Sequence, residues 1–61
     1  MAPIDIKFKT IQLISGIKHI SESQFCIICE EISIEKTEEN FGYIREACEL
    51  YFNLMNENPN F

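Results

Sequence analysis

Basic residues are scarce in this chain of 61 residues: five lysines and arginines stand against ten acidic residues, for a formal net charge of −5. A phosphate backbone draws most of its protein affinity from such cations, so the balance argues against unaided nucleic-acid binding. It suits solubility, or a partner with a basic surface. Glycine and proline are equally sparse, at two each, whereas 46% of residues are hydrophobic and five Phe and two Tyr are present. That composition excludes disorder throughout and fits a globular chain. No apolar run approaches the ~18 residues of a membrane span. The opening MAPIDIKFKT lacks the basic and then apolar regions of a secretory signal. Three cysteines make an odd number, which with no signal points to free thiols in an intracellular, reducing, cytoplasmic setting.

Catalytic and cofactor motifs are also missing. There is no Gly-rich phosphate loop, no H-E-x-x-H and no Ca²⁺ loop. His19 is the single histidine, and no recognised nucleophile motif ties a serine or cysteine to it. The carboxylate pairs Glu30-Glu31 and Glu38-Glu39 are adjacent in sequence and not opposed across a cleft. The chain is therefore read as a non-enzyme with no cofactor. A single domain of this length buries only about 60% of the surface of its unfolded form. Disulfides, a metal, exceptional helix packing or oligomerisation must supply the missing stability.

The clearest pattern runs from Thr37 to Met55. At about 100° per residue, Tyr43, Leu50, Leu54, Ala47, Tyr51, Ile44, Met55, Cys48, Phe41 and Phe52 fill one arc of roughly 200°. Thr37 is the expected N-cap, and Glu38 and Glu39 sit where the helix dipole favours them. An arc this wide exceeds the stripe of about 100° that one neighbour requires, which predicts two surfaces, burial inside the fold plus contact with another chain.

Upstream, Ile4 to Lys9 alternates apolar and polar, the mark of a half-buried strand behind Pro3. Residues 10–20 fit either a helix, with Leu13, Ile14, Ile17 and Ile20 on one face, or a hairpin turning at Ser15-Gly16. Ser21-Glu22-Ser23-Gln24 is a capping box announcing a helix over about 22–35. That helix would carry Phe25, Ile28, Cys29 and Ile32 on one face, with Ile27 and Ile34 nearly opposite.

The predicted fold is a mainly α single domain, 1–61. Residues 1–9 form an extended segment or strand, and 10–20 are ambiguous between helix and hairpin. Helices over about 22–35 and 38–55 form a helical hairpin, and 56–61 is a frayed tail.

Cys26-x-x-Cys29, with His19 and Cys48, would suffice for a tetrahedral Cys3His zinc site. FCIICEE, residues 25–31, resembles the opening of a RING finger. The later Cys and His pairs of that family are absent, so the resemblance implies nothing about ubiquitin ligation. Buried small hydrophobes are the alternative reading of all three cysteines, and it is the one adopted, with no metal. Redox use of the dithiol is disfavoured by Glu30 and Glu31 beside it.

Tyr43-Ile44-Arg45-Glu46-Ala47, followed by Leu50, Tyr51 and Phe52, is similar to the second helix of ribbon-helix-helix repressors. The resemblance implies a DNA-binding dimer with paired N-terminal strands, offering Asp5, Lys7 and Lys9 as outward residues. In that family the strand leads directly into the first helix, whereas residues 10–20 intervene here. Carboxylates replacing phosphates before a basic groove give a further possibility, an inhibitor of a DNA-binding protein.

The function expected is that of a small acidic protein–protein interaction module, a homo-oligomer or a subunit or inhibitor of a larger assembly. The alternatives are the DNA-binding dimer and the zinc-stapled module. Tyr43, Ala47, Leu50 and Leu54, with the patch Ile27 and Ile34, are the expected interface, and Phe41, Cys48 and Phe52 the intramolecular face. Glu30, Glu31, Glu35, Glu38 and Glu39 form the expected acidic partner face.

Overall fold

The structure is a computed structural model that describes residues 1–17 and 19–56. It holds α1 (Pro3–Ile14), a 3₁₀ turn (Glu22–Gln24), α2 (Phe25–Glu31) and α3 (Glu38–Asn56), with no strand among the described residues.

The strand expected over residues 1–9 is therefore corrected to the body of α1. Pro3 takes a first-turn position of the helix, where its fixed φ and missing N–H cost nothing. Ile6, Thr10 and Ile14, spaced four apart, are the buried residues of this helix. The row is interrupted in sequence by a polar residue, and Thr10 is accommodated because its Oγ1 donates to the Ile6 carbonyl at 2.7 Å. A lone strand would have left a whole edge of backbone groups unpaired. In the stretch read two ways, residues 10–14 continue α1, and the chain then turns at Ser15 and Gly16, the latter at φ +86°.

Ser21 donates its backbone N–H to Gln24 Oε1 at 3.0 Å, so the capping-box residues start the second helical segment as their spacing implies. Its end differs from the expectation of 35. α2 stops at Glu31, because Ser33 adopts a left-handed φ of 61°. The Ile34 N–H reaches back to the Cys29 carbonyl at 3.0 Å and the Ser33 N–H to Glu30 at 3.3 Å. These two bonds make a Schellman motif, with Ile34 folded onto the core beside the last turn. Serine pays about 1–2 kcal/mol for that conformation where glycine would not. Ser33→Gly is expected to raise stability by about 1 kcal/mol, read as a higher urea midpoint at unchanged slope; an unchanged or lower midpoint would argue against the left-handed stop.

Thr37 caps α3, accepting the Asn40 N–H on its Oγ1 at 3.1 Å. α1 and α3 run parallel: Lys7 pairs with Glu46 at 3.3 Å, and just past the end of α1 the Gly16 N–H donates to Tyr51 Oη, farther along α3, at 3.0 Å. α2 runs the other way, with Glu22 paired to Arg45 and the Phe25 ring 6.3 Å from Phe41. α3 makes its larger contact with α1 and a smaller one with α2. Ile6, Ile14, Phe25, Ile28, Cys29, Ile32, Ile44 and Cys48 form the core, and Phe41, Tyr43, Tyr51 and Phe52 pack on it. Of the tail expected over 56–61, Asn56 ends α3, and 57–61 lie outside the described residues.

Candidate functional site

The cysteines and histidine do not gather. Cys26 is exposed on α2, Cys29 and Cys48 are buried, and His19 is exposed in the connection. Among the described residues no group of three His, Cys, Asp or Glu side chains is placed to hold a metal ion. Burial pushes the thiols of Cys29 and Cys48 above their ordinary value of 9.0. Tyr43 is also raised, because its hydroxyl donates to Glu39 at 3.2 Å. Each of these groups keeps its proton more firmly folded than unfolded. The stability they contribute is complete below the unfolded thiol value and is lost as pH rises through the folded one. Two results are expected: stability that declines above about pH 9, and native-state iodoacetamide labelling that modifies Cys26 well before the other two thiols. Equal labelling rates by mass spectrometry would contradict the burial of Cys29 and Cys48.

The five expected partner-face glutamates divide. Glu30 is held by Lys36. Glu35 and Glu39 line an open hollow of about 370 Å³ together with Met1, Ile6 and Ile34. Glu31 instead faces a cleft between α2 and the end of α1. Glu38 lies with Glu39 on the outer side of the α3 start.

The expected interface residues also separate. Tyr43 is half-buried and packs on the core, and Leu50 and Leu54 are each 52% exposed. Ala47 is fully buried within its own chain and is not open to a second one. Ile27 is 56% exposed, whereas Ile34 is half-buried on the core. Asp5, Lys7 and Lys9, the outward set implied by the ribbon-helix-helix resemblance, lie on a helix.

The surface residues that the period-two reading of 4–9 concealed are on α1. Ile4 and Phe8 are 71% and 62% exposed, and with half-buried Ile11 they form an i, i+4, i+7 stripe. The Lys7–Glu46 pair ties α1 to α3 beside this stripe. On the α3 side Leu50 lies one turn beyond Glu46. Ile4 and Phe8 on α1 and Leu50 on α3 are thus exposed large apolar side chains on two helices that pack together, with charged groups among them. The stripe would have been legible had residues 3–14 been read as one helix behind Pro3.

No known protein family, characterised protein or solved structure matches the chain at a significant level. Among the described residues, no helix is long and apolar enough to cross a membrane.

Proposed function

We propose that the chain acts by binding and not by catalysis, as a small acidic interaction module whose first partner is a second copy of itself docked along the α1/α3 seam. The observation that carries this is the exposure of Ile4 and Phe8 on α1 and of Leu50 on α3, three large apolar side chains left open on the two helices that share the larger contact. Apolar patches of this kind mark association sites when they are contiguous.

Charge favours a like copy as the occupant. Lys7 and Glu46 already pair within the chain, which leaves Lys9 on α1 and Glu38, Glu39 and Glu49 on α3 to meet across copies. A two-fold arrangement that lays α1 of each copy over α3 of the other sets Lys9 against an acidic helix twice. Tyr43, Leu50 and Leu54 would then sit at the interface with Ile4 and Phe8.

Sedimentation equilibrium tests this reading. The expected outcome is a reversible dimer at micromolar concentration that weakens as salt screens the charged pairs. A single monomeric mass up to hundreds of micromolar would overturn it.

A further inference from the structure

A second apolar surface lies elsewhere on the molecule. The end of α1, the connection after it and α2 enclose an open cleft of about 180 Å³ walled by Leu13, Ile17, Ile20 and Ile27. That volume is of the order of the 150 Å³ apolar cavity that holds a benzene ring, so it takes one large side chain. Leu13, Ile17 and Ile27 are 40%, 43% and 56% exposed. At 100° per residue Leu13 points about 180° away from Ile4 and about 140° from Phe8. The cleft is therefore separate from the α1/α3 seam, and both can be occupied at once.

Its wall on α2 has polar ends. Gln24 and Glu31 line the cleft on either side of Ile27, seven residues apart on a single stripe. The Glu31 carboxylate meets no cation among the described residues. The Glu30 carboxylate beside it is shared with Lys36, and Glu35 follows. An apolar slot with a carboxylate at its rim fits an apolar anchor flanked by a cation.

We propose that this cleft docks an amphipathic helix of a different protein, inserting a leucine or aromatic side chain between Ile17 and Ile27 and setting a lysine or arginine against Glu31. Recognition follows the helix-in-groove mode, in which apolar anchors give affinity and flanking charge selects the partner. The chain then joins two surfaces: its own copy at the seam and a basic helix at the cleft. The cleft assignment does not rest on the seam.

The test uses two fluorescent helical peptides of about 16 residues, sharing leucines spaced i, i+4, i+7. One carries flanking lysines, the other glutamates at the same positions. Binding is read by anisotropy, and the site by amide shifts of the full chain. The basic peptide is expected to bind saturably, shifting Leu13, Ile17, Ile27 and Glu31. Ile27→Asp is expected to weaken it at least tenfold with helicity unchanged, and Glu31→Lys to abolish the preference for the basic peptide. Equal binding of both peptides, shifts confined to Phe8 and Leu50, or no binding at millimolar peptide would overturn the proposal. So would a change of oligomeric mass in Ile27→Asp, which would make the cleft an interface between copies. Sedimentation of the unmodified chain reports the seam separately, so failure of either surface is recognised without the other.

Discussion

Phe8→Glu is expected to convert the dimer to monomer at concentrations where the unmodified chain is fully associated, without loss of helix. The substitution lies on the exposed stripe of α1, where Phe8 is 62% open to solvent in the single chain. The monomer thus loses little, since surface replacements away from special features stay within about 0.5 kcal/mol. Glutamate is also a good helix former. In a two-fold dimer the same change occurs twice. Burying one phenylalanine side chain is worth about 1.5–3 kcal/mol, so two lost anchors remove about 3–6 kcal/mol before any cost of burying carboxylates. At 1.4 kcal/mol for each factor of ten, the dissociation constant rises by about 10² to 10⁴. Sedimentation and far-UV circular dichroism on one sample measure both halves of the expectation. A variant that remains dimeric would remove α1 from the interface.

Ile44→Ala should have the largest effect on folding. Ile44 has no exposed surface and sits in the core cluster shared by all three helices. Truncating a buried isoleucine to alanine costs about 2–5 kcal/mol, the spread reflecting how far the site collapses. The whole stability at about 0.05–0.15 kcal/mol per residue comes to about 3–9 kcal/mol for the 61 residues. The substitution therefore takes away about half of it. A domain of this size loses about 4–8 °C of melting temperature per kcal/mol, so a fall of roughly 8–40 °C is expected. Dimerisation links the two effects, because binding of a folded partner stabilises by mass action. The melting temperature of Ile44→Ala should climb with protein concentration. A fall of less than about 5 °C would mean that Ile44 is not central to the core.

The parts of the fold legible in the residues are those with local chemistry behind them. Thr37 and the glutamates after it start α3 where capping and the dipole favour a start. Ser21 and Gln24 do the same for the second segment. Residues 4–9 misled because six positions of alternation mimic a strand, while the helical row Ile6, Thr10, Ile14 has a polar member. Its burial depends on a bond back to the Ile6 carbonyl that spacing alone does not reveal. The stop of α2 was hidden for a different reason: the left-handed position holds serine and not the glycine or asparagine that usually signals it. Tertiary placement was hidden in turn. The wide arc of α3 was read as one side toward the fold and one toward another chain, and within the chain both α1 and α2 pack on this helix, α1 by the larger contact. Ala47 on that arc is thereby enclosed, while Leu50 remains outside.

The most direct test of the seam is an isotope-filtered NOE experiment on an equal mixture of ¹³C-labelled and unlabelled chains. It detects only contacts between copies. The expected result is cross-peaks between the Phe8 ring of one chain and the Leu50 methyls of the other. A dimer that shows intermolecular peaks from Ile27 and none from Phe8 or Leu50 would place self-association on the wrong surface, and an absence of any such peaks at millimolar concentration would contradict self-association itself.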